Sequence, residues 1–124
     1  MRPKSEPAGN KSLVQIDYDE AIDAPGLSIT EAGNYLNNES VVFIDLNPKD
    51  QFESAHIPGA VSAGGLDDGQ IAELAKKFSA KEFIIFYCSC RNEHLSARMV
   101  SKLQRGGMLN TRTLIGGFME WRKA

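Results

Sequence analysis

Two short, unbroken apolar runs limit what this chain can fold into. Val41-Val42-Phe43-Ile44, ended by Asp45, and Phe83-Ile84-Ile85-Phe86-Tyr87, ended by Cys88, are rich in β-branched and aromatic residues. Runs of this length without polar alternation suit strands buried on both faces, which occur in parallel sheets covered by helices on each side. The intervening segments supply such helices. Ile71, Leu74, Ala75 and Phe78 share one helical face, and Leu95, Met99, Val100 and Leu103 do so in residues 93–105, which Gly106-Gly107 ends. A further strand is expected over residues 111–115, after which Gly116-Gly117 turns the chain into a closing helix carrying Phe118 and Trp121. Strands alternating with helices predict an α/β fold with a mostly parallel central sheet and helices on both faces.

Smaller elements fill the rest. Residues 1–12 are polar, with Pro3, Pro7 and Gly9, and read as a flexible tail, leaving residues 13–124 as a single domain. Residues 13–16 suit a short edge strand, and residues 17–25 are acidic and turn-prone. Thr30 is the expected cap of a short helix reaching Tyr35 and Leu36, weakened by Gly33. Pro48 opens another helix through Phe52, a small strand is expected near Val61, and Asp67 or Asp68 caps the helix carrying Ile71.

Composition narrows the function. A chain of 124 residues with 42% hydrophobic residues can build one core. Its net charge of -2, with no basic cluster interleaved with aromatics, argues against nucleic acid as a partner. No apolar run is long enough to cross a bilayer and the first residues carry no apolar signal segment, so no membrane partner is expected. Two cysteines one residue apart do not make a disulfide framework, which predicts a reducing, cytoplasmic compartment.

Cys88-Ser89-Cys90 puts thiols at the carboxyl end of the second run, just before a helix. Ligands of open α/β sheets bind at that edge, and the following helix directs its unpaired N–H groups and positive dipole end there. Such a field lowers a thiol's pKa, which separates a nucleophile from a small buried hydrophobe. Arg91 is placed either to hold an anionic donor or to be solvated, Ser89 and Asn92 to supply loop hydrogen bonds, Glu93 to complement the dipole, and His94 to accept a proton or stay exposed. Cys88, Cys90, Glu93 and His94 form one local cluster where structural zinc draws on two separated ones, so neither metal nor cofactor is expected.

Three segments in this order are more specific: Asp45 through His56-Ile57-Pro58-Gly59-Ala60, then Tyr87-Cys88 with its loop, then Leu114-Ile115-Gly116-Gly117-Phe118 with Trp121. Together they resemble a rhodanese-like domain over residues 28–124. The resemblance implies a sulfurtransferase or persulfide carrier, whose loop cysteine moves sulfane sulfur from a small thiosulfate- or persulfide-type donor to a thiol or protein acceptor. It also admits a catalytically inactive interaction or regulatory module, and the two cysteines admit a dithiol redox switch. The chain departs from the family in having Asn47 and Gln51 where an arginine and an acidic residue are usual; neither adjoins the cysteine loop in sequence, which suggests a structural change. The loop itself lacks the usual glycine and late arginine. A phosphatase or arsenate reductase would need an arginine closing the loop, near where Leu95 stands.

The preceding strand and Tyr87 point to Cys88 as the nucleophile, whereas counting back from Ser96-Ala97 lands on Cys90. The stripe beginning at Leu95, and Asn92 as an early N-cap, favour Cys88, with Cys90 as the second candidate or a resolving thiol. His56 is expected to fix its turn through a ring hydrogen bond, and Asp45 to tie down amides at its strand end.

Overall fold

Parallel pairing of the two apolar runs forms the centre of the sheet. The computed structural model describes residues 24–89 and 94–123, the side chain of His94 excepted. Strands β1 (Gly26–Leu27), β2 (Val41–Asp45), β3 (Val61–Ser62), β4 (Phe83–Tyr87) and β5 (Thr111–Leu114) lie in the order β1-β5-β4-β2-β3. Every pairing is parallel. Helices α1 (Ile29–Gly33), α2 (Lys49–Ser54), α3 (Asp68–Lys76), α4 (His94–Arg105) and α5 (Gly117–Lys123) connect and close them. The expected α/β class is therefore correct. No helix among the described residues is long and apolar enough to cross a membrane.

The pleat sends alternate side chains of each strand to opposite faces. Val42, Ile44, Ile84 and Phe86 meet Ile71 and Ala75 of α3 and Met99, Val100 and Leu103 of α4. Val41, Phe43, Ile85 and Tyr87 meet Ala32 of α1, Ile57 and Phe118 of α5. Both faces of β2 and β4 are thus apolar, which is why neither strand shows alternation in the sequence.

Local chemistry corrects several boundaries. The cap of α1 is Ser28, not Thr30: its hydroxyl accepts the Glu31 amide at 3.0 Å while the Glu31 carboxylate accepts the Ser28 amide at 2.9 Å. The helix stops at Gly33 instead of reaching Leu36. Asp67 and Gln70 make the same reciprocal cap on α3, which decides between Asp67 and Asp68. Cys88 lies just past the end of β4, and Ile115 just past β5.

The apolar stripe of α4 is also corrected, because Leu95 is 51% exposed. The inward line runs through Ser96, Ala97, Met99, Val100 and Leu103. Ser96 holds its buried place by sharing a 2.6 Å hydrogen bond with the Thr113 hydroxyl of β5, a polar pair that hydrophobic periodicity passes over. The expected tail (1–12), edge strand (13–16) and acidic turn up to residue 23 lie outside the described residues.

Ile85 is fully buried on the central strand, in register with Phe43 on one side and Arg112 on the other. Ile85→Ala is expected to lower the free energy of unfolding by about 3 kcal/mol in urea titrations. A loss under about 1 kcal/mol would contradict that central position.

Candidate functional site

β2 and β4 end side by side, with Asp45 and Tyr87 as cross-strand partners. Asp45 is fully buried, and its Oδ1 accepts the Asn47 amide at 2.7 Å, closing an Asx-type turn at the strand end. This is the amide-tying role expected of Asp45. The turn directs Asn47, only 4% exposed, toward the neighbouring strand end, where its Oδ1 accepts the Ser89 amide at 2.6 Å. Gly64 makes that turn possible by close approach, since a Cβ there would lie 1.9 Å from the Asn47 carbonyl oxygen.

A second tie comes from α5. The turn Gly116-Gly117 uses positive φ angles of 92° and 65°, which glycine adopts without penalty, and brings the Phe118 amide to the Cys88 carbonyl at 3.0 Å. The backbone at Cys88 and Ser89 is therefore held from both flanking elements. Beneath it, the buried Tyr87 hydroxyl accepts the Ile57 amide at 3.1 Å and so joins the His-Ile-Pro-Gly turn to β4. His56 behaves as expected: its Nδ1–H donates to the Phe52 carbonyl at 2.6 Å, and its ring stacks on Phe52 with centroids 3.9 Å apart.

The Tyr87 hydroxyl also lies against the Asp45 carboxylate. Among the described residues no hydrogen bond of normal geometry reaches Asp45 Oδ2. Burial pushes the Asp45 carboxyl above its ordinary range, against the opposing pull of hydrogen bonds from Tyr87 and Asn47. Burial, and secondly the Asp45 carboxylate, push the Tyr87 phenol upward.

Cys88 is 3% exposed and belongs to the core cluster facing α3 and α4, with Leu46, Ala63 and Met99. Its sulfur is disulfide-bonded. Ser89, half-buried, opens instead onto a polar cleft with Asn47, Gln51 and Arg122, whose guanidinium lies 5.7 Å from the Phe118 ring centroid. Cys90, Arg91, Asn92, Glu93 and the His94 side chain, all expected in the loop, lie outside the described residues; the His94 backbone opens α4. With Leu95 exposed, the choice of Cys88 rests on its place after β4. Asn47 and Gln51, expected to mark a structural change away from the cysteine loop, both line the cleft beside Ser89, and Asn47 holds the Ser89 amide although the two are 42 positions apart. Arg122, in the same cleft, carried no signal in the sequence pattern.

The family model for the rhodanese-like domain matches residues 28–124. The chain is 29% identical over 103 residues to the adenylyltransferase and sulfurtransferase UBA4 of Lodderomyces elongisporus, aligning 77% of its own length and spanning 22% of that protein's. Among solved structures, a protein of unknown function and possible tyrosine phosphatase from Rhodopseudomonas palustris matches with a TM-score of 0.71 and 22% identity, over 95% of both chains. The rhodanese-like domain of the Anabaena sp. Alr3790 protein matches with a TM-score of 0.62 and 17% identity, over 80% of this chain and 74% of that one. At these identities the solved structures show a shared fold.

Asp45 gives this site a pH signature. Its raised titration in the folded state means that folding is favoured once the carboxyl is protonated. Relative to Asp45→Asn, the wild type should gain stability as pH falls through that raised value, reach its full gain below the ordinary value of 3.8, and lose it again as pH rises toward neutral. Urea midpoints of both proteins across pH measure this, and a difference independent of pH would show that Asp45 is not held above its ordinary range.

Proposed function

We propose that this chain, which belongs to the rhodanese-like domain family, is a sulfurtransferase or persulfide carrier with Cys88 as the sulfur-bearing nucleophile. The observation that carries this reading is the position of Cys88. It lies immediately after the central strand, ahead of α4, with its own carbonyl held by the Phe118 amide and the next amide held by Asn47. A cysteine fixed at the carboxyl edge of a parallel sheet stands where such folds bind ligands, and the positive end of the following helix favours its thiolate.

In this reading the reduced Cys88 thiolate attacks the outer sulfur of a thiosulfate- or persulfide-type donor. The donor's S–S bond breaks, its electron pair leaves with sulfite or a thiolate, and Cys88 retains the sulfur as a persulfide. An acceptor thiolate then attacks the outer sulfur and regenerates the Cys88 thiolate. Ser89, Asn92 and neighbouring loop amides would cradle the anion, Arg91 would attract the donor, Glu93 would complement the helix dipole and His94 would take up a proton. Cys90 is the alternative nucleophile or a resolving thiol. A cytoplasmic, reducing setting fits the chemistry, since the thiol must be free to act.

One observation favours a second reading. Cys88 is disulfide-bonded, so the oxidised protein has no thiolate at this position until a reductant acts, and the cysteines would serve as a dithiol redox switch. The two readings are compatible if oxidation gates sulfur uptake.

Reduced protein incubated with thiosulfate should gain one sulfur on Cys88 by intact mass and peptide mapping. Cys88→Ser should abolish the adduct and Cys90→Ser should retain it. Sulfur mapped to Cys90 would reassign the nucleophile. No adduct from either thiosulfate or inorganic polysulfide would leave an interaction module as the better reading.

A further inference from the structure

A groove on the α3 and α4 side of the sheet is lined by Leu46 and Met99, which share a buried cluster with Cys88. The parallel ladder continues beyond the strand ends: the Leu46 amide donates to the Tyr87 carbonyl at 2.9 Å, and the Ala63 amide donates to the Asp45 carbonyl at 2.8 Å. Cys88, Leu46 and Ala63 consequently form a lateral row across the continuations of β4, β2 and β3, at the usual spacing of about 4.8 Å per strand. All three belong to the same buried cluster. Leu46 and Ala63 are the floor of a cavity of about 160 Å³, to which Ile71 and Met99 add apolar walls. Leu66 and Leu95 form its lips and are 38% and 51% exposed.

Its charge is as specific as its shape. Arg98 and Lys102 of α4 border the groove, with Asp68 of α3 opposite. Asp68 pairs with Lys102, whereas no ion pair among the described residues engages Arg98. An apolar floor beside a guanidinium that no described carboxylate pairs suits a ligand that is both organic and anionic.

We infer that the groove selects an organic, anionic sulfane-sulfur donor and seats its apolar body over Leu46 and Ala63, so that its terminal sulfur faces Cys88. The groove's role rests on the carrier chemistry proposed above and narrows its substrate class from sulfane-sulfur donors in general to those with an apolar body. With an organic thiosulfonate, the Cys88 thiolate attacks the terminal sulfur and forms a new S–S bond. The bond between that sulfur and the sulfonyl group breaks, and the electron pair leaves with the sulfinate. Cys88 is left as a persulfide anion, so charge and atoms balance. Groove contacts hold the organic group and play no part in bond making.

The test compares benzenethiosulfonate with methanethiosulfonate as donors to the reduced protein, with cyanide as acceptor. Wild type should show kcat/KM about tenfold higher for the phenyl donor, the scale expected from burying part of one ring. In a Leu66→Ser, Leu95→Ser double variant, altered only at exposed lips, this ratio should collapse toward unity. Benzenesulfonate, which has no sulfur to transfer, should separately shift methyl NMR signals of Ala63, Ile71 and Met99 in wild type and fail to do so in the double variant. A phenyl-to-methyl ratio near unity in wild type, or the same ratio in both proteins, would overturn the groove while leaving sulfur transfer intact. Groove binding of benzenesulfonate without transfer from any donor would support the groove and sink the carrier chemistry.

Discussion

The residue-for-residue pairing of β2 with β4 is the constraint on which the rest of this site depends. Because strand side chains alternate between faces, a slip of one residue would exchange the two faces. Tyr87 would leave the Ile57 amide and turn toward α4. Cys88 would lose its place in the row with Leu46 and Ala63. Asn47, positioned by the end of β2, would no longer meet the amide after β4. Register is enforced from both sides, since each strand buries apolar groups on each face. That redundancy lets a short sheet hold a polar site at its edge.

The edge is assembled at some energetic cost. Among the described residues nothing hydrogen-bonds one carboxylate oxygen of the fully buried Asp45 with normal geometry, although such groups are strongly disfavoured unless paired. Its other oxygen closes the turn that aims Asn47 at Ser89. Position at the cysteine loop and local stability are thus in opposition, and the surrounding apolar core supplies the excess that tolerates the conflict. Tyr87 joins the two requirements, packing as a hydrophobic residue while its hydroxyl serves the Ile57 amide.

Much of the architecture was legible in the chain because parallel strands buried on both faces leave unbroken apolar runs, and both central strands did so. Start signals were legible too, although reading them required the reciprocal partner: Ser28 with Glu31 forms the cap that Thr30 alone had suggested. The α4 stripe misled because Ser96 is buried by pairing with Thr113, a contact no helical period registers, while Leu95 is left to the groove. At the site, the cysteine's place after a strand was readable, as was the turn-fixing role of His56. The convergence of Asn47, Gln51, Ser89 and Arg122 was not, since it depends on which strands become neighbours. Chain distance made Asn47 look remote from a loop to which it is bonded.

The hydrogen bond from the Phe118 amide to the Cys88 carbonyl makes α5 more than a closing cap. Phe118 packs in the opposite core layer, and Trp121 meets Phe43 edge-on at 5.8 Å, so the tether spans the thickness of the sheet. Cys88 and α5 therefore share a mechanical linkage: a macromolecule that levered α5 outward would slacken the cysteine's backbone without touching its sulfur. Force on one surface would be felt as geometry on the other.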